Sequence, residues 1–423
     1  MSRTTVHLAP VVVPVSKAPT TDGAVAVNDG VIVGVGSRSE MLARFSSADV
    51  VEWSGVLIPG LVNAHTHLQY TSFADVGSAP HTSYVSWSEC FVAEYEGRET
   101  EDWAATARHG VELALSTGTT CFADIVTDVD ALDTLVATGV SGVVYLELIG
   151  VDQAAWDSGV EFWVESTLVA APRNDHAVVG LSPHAPYSVD EPVLKAATAL
   201  ARRLGIRLHI HLAESDSEDS YYRTGTGALA ERVTLRVGRP WSILARGGTG
   251  LSAAEFAMSC GLLGSDSHVA HGVYLGAEGR RLLREAGTYV ALCPRSNLTV
   301  GIDPPPVASF LEEESLFAVG TDSLGSTTSL DLLEDVALLR RLAVEGGYRR
   351  DDLDRRLLHA ATRGGASALG LSDRLGSIDI GKRADFTVLG VDPDSREIER
   401  RINEEGAGTC LATVVSGGVR WTP

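Results

Sequence analysis

Two histidines stand two residues apart at the end of an apolar run, His65 and His67. Successive side chains of a β-strand point to opposite faces, so this spacing places both imidazoles on one face and aims them at one point. Histidine nitrogens are common ligands of Zn²⁺ and related ions, but the pair alone also fits two structural or surface histidines. The metal interpretation therefore depends on the rest of the sequence.

Two further ligand-type residues, His211 and Asp322, each end a short strand-like run. Three imidazoles and one carboxylate suit Zn²⁺, with Fe²⁺ and Mn²⁺ as alternatives, and leave a position for water. Such an ion lowers the pKa of water toward about 7 and makes hydroxide available at neutral pH. The sequence predicts a hydrolase with one divalent ion held by His65, His67, His211 and Asp322.

Two other polar residues follow strand-like runs. Glu214 lies three residues beyond His211, where we favour a general acid/base over an exposed loop acid. His271 either polarises the substrate or the attacking water, which we favour, or is a buried imidazole with a backbone partner. His209 points inward one layer deeper, and His268 has the opposite strand phase to His271, so both are predicted to be structural.

The elements that must position these residues are eight short β-branched runs alternating with helical patterns. Eight parallel strands with a helix available after each predict an α/β fold, a closed (β/α)₈ barrel, with catalytic residues at the carboxyl ends of its strands. The predicted strands are Leu57 to His67, Thr119 to Ile125, Gly142 to Ile149, Ala177 to His184, Ile206 to Leu212, Ser267 to Gly272, Thr288 to Cys293 and Leu316 to Thr321.

The two ends of the chain carry short strand-like pieces with glycine turns and few helical signals. We interpret residues 1–56 and 372–423 as one small β-sandwich domain built from both termini. Residues 57–371 then form the catalytic barrel domain.

Bulk properties exclude several classes of function. A net charge of -21 repels phosphate backbones, which argues against nucleic-acid binding. No apolar stretch is long enough to cross a bilayer, and no signal-peptidase site follows the apolar N-terminal run, so we expect a cytoplasmic protein without a membrane segment. The five cysteines are scattered and lack a Cys-x-x-Cys pair, which argues against disulfides and thiolate metal sites.

Six motifs, spread over most of the chain, together resemble the amidohydrolase superfamily. The order His-x-His, His, His, Asp is similar to its cytosine and adenosine-type deaminase branch, and Gly376 to Asp385 looks like a returning strand of that family's β-sandwich. The motifs are Pro59 to His67, Ser182 to Tyr187, His211 to Glu214, Ala270 to Val273, Cys293 to Leu298 and Gly320 to Ser323.

The resemblance implies roles for the site residues. Glu214 takes a proton from the water and gives it to the ring nitrogen beside the carbon under attack. Asp322 ligates the metal and helps move a second proton to the departing ammonia. His271 hydrogen-bonds the hydroxide or the tetrahedral intermediate, and His184 touches the substrate base.

Lysine usage indicates a single metal. The family also has two-metal members whose ions are bridged by a carbamylated lysine on strand four. This chain has no lysine between Lys17 and Lys195, and Lys195 lies well past the predicted fourth strand.

Substrate contacts are assigned to the loops. Trp87 and, nine residues later, Glu96 have a spacing similar to that in nucleoside-type deaminases, whose acid binds ribose hydroxyls; solvated surface is the equal alternative for Glu96. The segment around Gln69 looks most like aminofutalosine deaminases of menaquinone biosynthesis, which act on an adenine nucleoside bearing a carboxyphenyl group. Arg295 is our candidate for binding that carboxylate, with a structural ion pair as the equal alternative.

Other substrates and functions stay open. Similar enzymes deaminate methylthioadenosine, S-adenosylhomocysteine or adenosine, and other amidohydrolases cleave a triazine chloride, an imide or a cyclic amide. A catalytically silent binding protein is disfavoured because all metal ligands and Glu214 are present. The resemblance also implies a homodimer or a larger homo-oligomer.

Overall fold

The computed structural model describes residues 4–79, 81–394 and 397–423. Within them, the strands form two eight-stranded sheets. In chain order the strands are β1 (Thr5–Val12), β2 (Thr20–Asn28), β3 (Val31–Ser37), β4 (Asp49–Glu52), β5 (Val56–Pro59), β6 (Leu61–Thr66), β7 (Thr119–Val126), β8 (Ser141–Glu147), β9 (Ala177–Ser182), β10 (Arg207–Leu212), β11 (Ser267–His271), β12 (Tyr289–Leu292), β13 (Phe317–Val319), β14 (Phe386–Leu389), β15 (Cys410–Val415) and β16 (Gly418–Trp421).

Strands β6 to β13 form the barrel. They pair in sequence order and all seven ladders are parallel. This confirms the predicted α/β barrel, because each of the eight predicted runs contains one of these strands or overlaps it. Parallel strands buried on both faces read as nearly continuous apolar runs, which is why the sequence pattern revealed them.

The first predicted strand, Leu57 to His67, is wrong at its start. Residues 56–59 pair with β14 in the other sheet, and the chain enters the barrel only at Leu61. Gly60 joins the two strands, and a Cβ there would lie 2.1 Å from Oγ1 of Thr120, so no larger residue fits this crossing. Both segments are fully buried, and the periodicity therefore could not separate them.

Side chains close the barrel between β13 and β6. The Asn63 amide donates to the Thr321 hydroxyl at 2.7 Å, and the Thr321 backbone N–H donates back to Asn63 Oδ1 at 3.1 Å. The backbone N–H of Asp322 donates to the carbonyl oxygen of His65 at 3.0 Å. These bonds fix the end of β13 against β6, where the predicted ligands His65, His67 and Asp322 lie.

Helices follow each barrel strand and cover its outer surface. The described α-helices between β6 and β14 are Ala74–Ser78, Tyr84–Glu96, Trp103–Leu115, Thr134–Thr138, Gln153–Ala155, Glu161–Ala170, Glu191–Leu204, Ser217–Thr224, Ala228–Val237, Ser242–Ala245, Ala253–Ser259, Ala277–Ala286, Pro294–Thr299, Val307–Glu312, Leu332–Glu345, Leu353–His359 and Gly365–Ala368. None of these helices, nor any other in the described part of the chain, combines the length and apolar content needed to cross a bilayer.

The remaining strands form the second sheet from both ends of the chain. Its order is β16-β15-β14-β5-β1-β2-β3, with β4 pairing along β1. Two helices, Arg38–Arg44 and Ile398–Glu405, also belong to the terminal segments. Thr387 and Thr413 donate side-chain hydrogen bonds of 2.6 Å to carbonyls of residues 118 and 115, which tie this sheet to the barrel.

Candidate active site

Four predicted ligands converge at the carboxyl ends of the barrel strands. Nε2 of His67 lies 3.4 Å from Nε2 of His211. Oδ1 of Asp322 lies 3.5 Å from Nε2 of His65 and 3.7 Å from Nε2 of His67. The strand period brings His65 and His67 to one face of β6, as predicted, and the parallel β10 supplies His211 from across the barrel.

These side chains fit a divalent metal ion. Tetrahedral ligands about 2.1 Å from Zn²⁺ are separated by about 3.4 Å, close to the observed spacing. Nδ1 of His211 donates to the carbonyl oxygen of His184 at 3.0 Å, which leaves its Nε2 as a bare lone pair. Nε2 of His65 is buried without a hydrogen-bond partner among the described residues. Facing lone pairs without protons are the arrangement a cation would stabilise.

Burial keeps the ligand imidazoles neutral. It lowers the pKa of His67 to about 4 and the pKa of His65 well below its usual value. Neutral imidazole is the form that binds metal, so the ligands need not lose protons near neutral pH.

Neighbouring side chains orient the ligands. Nδ1 of His65 lies 3.1 Å from Nε2 of His209, which fixes the plane of the His65 ring. The hydroxyls of Ser296 and Ser326 donate to Oδ2 of Asp322 at 2.7 and 2.8 Å, so Oδ1 is the atom that faces the histidines. Such outer partners set ligand orientation and basicity.

Glu214 and His271 form a pair beside the ligands. Nε2 of His271 lies 3.5 Å from Oε1 of Glu214. The Asn297 amide donates to Nδ1 of His271 at 3.1 Å, so the neutral ring carries its proton on Nε2, toward Glu214. Burial raises the pKa of Glu214 well above its usual range, and repulsion from Asp322 and Glu218 adds to this rise. This environment favours the protonated form of Glu214 more than water does, which suits a group that must take up and release a proton.

A second glutamate shapes the loop that carries Glu214. The buried Glu218 carboxylate accepts the backbone N–H groups of Ala213, Glu214 and Ser215 at 2.9, 2.7 and 3.2 Å. These bonds hold the loop in a single turn at the end of β10. Glu218 was not predicted from the sequence, where its only signal is an acid at the start of a helix.

Backbone strain is concentrated at the same strand ends. Ala213, His271 and Asp322 have φ values of 51°, 72° and 63°, in a region that side-chain-bearing residues seldom adopt. Such strain persists where surrounding contacts hold it, typically at functional sites. His271 lies three residues from the inward-facing His268 and therefore has the opposite strand phase. Its positive φ nevertheless turns its side chain into the site.

The helix Tyr84–Glu96 covers the barrel mouth. The Tyr84 hydroxyl lies 3.0 Å from the Tyr187 hydroxyl, and its hydrogen bond to Glu214 partly opposes the rise of the Glu214 pKa. Trp87 donates from its indole to the carbonyl oxygen of residue 325 at 2.8 Å. The sequence analysis placed Trp87 here but did not identify Tyr84.

The structure brings His184 into the site and gives Gln69 a different position from that expected. Nδ1 of His184 lies 2.7 Å from the Ser188 hydroxyl, and its ring lies 4.7 Å from that of His211. The Gln69 amide bonds to the loop after β7: its oxygen accepts the backbone N–H of Thr127, and its nitrogen donates to Asp128. Gln69 therefore holds the loop after β7 rather than facing a substrate.

Two predicted substrate contacts lie away from the site. Glu96 is exposed at the last position of its helix, because nine residues at 100° each turn it about 180° from Trp87. Arg295 is 13% exposed and paired with Asp335 and Glu334, and it also donates to two backbone carbonyls. The guanidinium of Arg295 is already paired within the protein. This fits the structural ion pair given as the alternative and not the predicted binding of a substrate carboxylate.

Comparisons with known proteins agree with this geometry. A model of the amidohydrolase family matches residues 56–420. A 5-methylthioadenosine/S-adenosylhomocysteine deaminase of Desulforudis audaxviator is 30% identical over 394 residues, which cover 89% of this chain and 83% of that protein. A deaminase with the same description from Syntrophobacter fumaroxidans is 29% identical, covering 87% of this chain and 80% of its own length.

Two solved structures share the whole architecture. A zinc-bound adenosine deaminase of Xanthomonas campestris superposes with a TM-score of 0.82 at 25% identity, covering 99% of this chain and 93% of that one. Helicobacter pylori aminofutalosine deaminase, in complex with methylthio-coformycin, has a TM-score of 0.83 at 20% identity, covering 98% of this chain and 100% of that one. The second likeness concerns the fold alone.

Proposed function

The chain belongs to the amidohydrolase family and is a metal-dependent hydrolase; from that premise we propose that it deaminates an adenine nucleoside, with aminofutalosine as substrate. The observation that carries the deaminase proposal is the pair Glu214 and His271, 3.5 Å apart beside the three ligand histidines. The relatives that it matches over most of their length are described as deaminases of 5-methylthioadenosine and S-adenosylhomocysteine, which are adenine nucleosides.

In this reaction water replaces the amino group on the adenine ring: a C–O bond forms, the C–N bond breaks and ammonia leaves. His65, His67, His211 and Asp322 would hold a divalent ion, which would make hydroxide available near neutral pH. The buried Glu214 accepts a proton from water and delivers it to the ring nitrogen beside the reacting carbon. The raised pKa of Glu214 suits both halves of this transfer.

The other side chains orient the reactants and complete the proton balance. His271 donates from Nε2 to the attacking oxygen, since Asn297 fixes its proton there. Asp322 takes the remaining proton from the attacking oxygen and passes it to the amino group, which leaves as ammonia. His184 contacts the adenine ring from the opposite flank, next to His211.

Two arginines near the mouth support a substrate with a carboxylate. Burial and the neighbouring histidines lower the pKa of His184, and the exposed Arg236 on the helix Ala228–Val237 adds a smaller electrostatic contribution in the same direction. Arg232, one turn earlier, weakly opposes the rise that burial causes in the pKa of Tyr187, and it donates to the Ser88 hydroxyl of the covering helix. In a protein of net charge -21, a local cation is needed to attract the carboxyphenyl group of aminofutalosine. We assign this role to Arg236, and the enzyme to menaquinone biosynthesis in the cytoplasm.

A comparison of substrates tests this assignment. Purified zinc-loaded protein is assayed for ammonia with aminofutalosine, methylthioadenosine, S-adenosylhomocysteine and adenosine. We expect the largest kcat/KM for aminofutalosine. A larger value for methylthioadenosine or S-adenosylhomocysteine would overturn the aminofutalosine proposal. The protein would then be a methylthioadenosine/S-adenosylhomocysteine deaminase, like its described relatives.

A further inference from the structure

A buried carboxyl group on strand β7, that of Asp124, has no role in the chemistry described so far. The side chain is fully buried, and the two residues that share its face of the strand, Phe122 and Val126, are buried and apolar. Acids are rarely buried in such surroundings, because a carboxyl group costs free energy to remove from water. The presence of Asp124 in the core therefore points to a polar partner that needs it.

That partner is the backbone N–H of Leu68, the residue that follows the predicted ligand His67. This N–H donates to Oδ1 of Asp124 at 2.9 Å. Oδ2 of Asp124 is buried with no hydrogen-bond partner among the described residues. Burial raises the pKa of Asp124 to about 8, although the bond from Leu68 opposes this rise. At neutral pH the side chain is therefore mainly a neutral carboxyl group that accepts one hydrogen bond.

The ligand His67 lies just beyond the part of β6 that the strand ladder holds. The pairing of β6 with β7 ends at Thr66, which stands opposite Asp124. After His67 the chain turns into a short helical segment, Leu68–Phe73. The orientation of the His67 imidazole therefore depends on how this segment begins, and not on the strand alone.

The first N–H groups of a helical segment have no partner within it, and the side chain of the preceding residue usually accepts one of them. His67 occupies that preceding position, but its imidazole makes no such bond and faces His211 instead. Asp124 supplies the missing acceptor from the neighbouring strand. A histidine at this position can thus serve as a metal ligand because another residue takes over the capping bond.

Water has no access to replace this acceptor. Leu68 is 1% exposed. The helix Trp103–Leu115 covers it closely, since a Cβ added at Gly110 would lie 3.1 Å from Cδ2 of Leu68. A buried N–H group without a partner is costly. Loss of the Asp124 carboxyl group should therefore shift the backbone beside His67 rather than leave it in place.

We propose that Asp124 is a positioning residue of the metal site, which holds His67 in its ligating orientation through the backbone N–H of Leu68. It acts from outside the ligand set, and outer partners of this kind typically change metal affinity by about 10- to 100-fold. The inference rests on the proposed function through its metal site and does not depend on which substrate is bound.

Three variants separate positioning from a loss of packing. Asp124→Val keeps a strand-forming side chain and removes the acceptor, whereas Asp124→Asn keeps an acceptor oxygen in the same place. Thr119→Val is the control, since the Thr119 hydroxyl is buried without a partner among the described residues at the other end of β7. Competition with a chromophoric chelator measures the Zn²⁺ affinity. We expect Asp124→Val to bind Zn²⁺ about 10- to 100-fold more weakly, and the other two variants to stay within about 3-fold of the wild type.

The visible absorption spectrum of the Co²⁺-substituted proteins gives a second readout, because it reports the ligand geometry and a merely structural role would not change it. We expect an altered spectrum for Asp124→Val, and the wild-type spectrum for Asp124→Asn and Thr119→Val. A thermal melt checks folding. If Asp124→Val does not fold, Asp124→Ala, which only removes atoms, is measured in its place.

The outcomes distinguish the inference from the metal site on which it rests. Wild-type affinity and spectrum in a folded Asp124→Val or Asp124→Ala variant overturn the positioning role. An equal loss of affinity in Asp124→Asn or in Thr119→Val overturns it as well, and so does the failure of both variants without an acceptor to fold, which would make Asp124 a residue of barrel stability. A wild type that binds no Zn²⁺ overturns the proposed metal site itself.

Discussion

The Nε2 atoms of His67 and His211 face each other at 3.4 Å, although the two residues are 144 positions apart in the chain. The Nδ1 proton of His211 is committed to the carbonyl oxygen of His184, so Nε2 of His211 is a bare lone pair that faces His67. A cation between the two Nε2 atoms would bind both lone pairs, and the first predictions concern it.

Removal of one ligand should remove the metal. We expect His211→Ala to bind Zn²⁺ more than about 100-fold more weakly, beyond the 10- to 100-fold typical of an outer partner. Metal content is measured after dialysis against a graded chelator, with the exposed His109→Ala as control. The wild type and control should retain one ion per chain; two ions in the wild type would contradict the single-metal interpretation.

His209 should tune the metal without contacting it, because Nδ1 of His65 lies 3.1 Å from its Nε2. His209→Ala removes this acceptor and should weaken metal affinity about 10- to 100-fold. His209→Gln, whose amide oxygen can accept the same proton, should recover part of the loss. Equal affinities in all three proteins, measured by competition with a chromophoric chelator, would show that His209 only fills space.

Glu214→Gln should abolish catalysis while keeping the metal. An amide cannot take the proton from water, so we expect kcat to fall by about 10²- to 10⁴-fold, the contribution of general acid/base catalysis. The change is isosteric, and metal content should equal that of the wild type. Activity within about 3-fold of the wild type would remove Glu214 from the proton path.

Arg236→Gln should separate substrates by charge. An exposed ion pair contributes up to about 1 kcal/mol, so KM for aminofutalosine should rise by about 5-fold at low salt. KM for methylthioadenosine, which has no carboxylate, should stay constant. A parallel rise for both substrates would indicate that the change acts on the pocket and not on a substrate carboxylate.

His7 in the terminal sheet should make stability depend on pH. It is buried, accepts from the Trp53 indole at 3.3 Å, and burial lowers its pKa to about 4. Since the unfolded chain binds this proton more tightly, with a pKa near 6.5, the stabilisation is complete above about pH 6.5 and is lost as pH falls toward 4. The loss is on the order of 3 kcal/mol.

Chemical denaturation between pH 4 and 7 measures this effect. His7→Asn keeps an acceptor for Trp53 but cannot titrate, so its stability should fall less than that of the wild type over this range. Parallel pH profiles for the two proteins would show that other groups cause the dependence.

The barrel could be predicted because each of its strands is buried on both faces and reads as a short apolar run. The convergence of the four predicted ligands could be foreseen because they end those runs at the period of a strand. The crossing at Gly60 could not, since β5 and β6 are both fully buried and nothing local marks the change of sheet.

The substrate contacts were harder to predict because they depend on tertiary packing. Glu96 and Trp87 were linked by spacing, but the helix that carries them turns Glu96 to solvent. Arg295 was chosen for its place beyond a strand, and its pairing with Asp335, 40 residues later, was invisible in the sequence.

The central claim is tested most directly by ammonia release from adenine nucleosides, with the accompanying ultraviolet shift from adenine to hypoxanthine, in zinc-loaded and in chelator-treated protein. We predict turnover of at least one of aminofutalosine, methylthioadenosine, S-adenosylhomocysteine and adenosine by the loaded protein, loss of activity on chelation, and recovery on addition of Zn²⁺. A metal-loaded, folded protein that releases no ammonia from any of the four would contradict the assignment as an adenine-nucleoside deaminase.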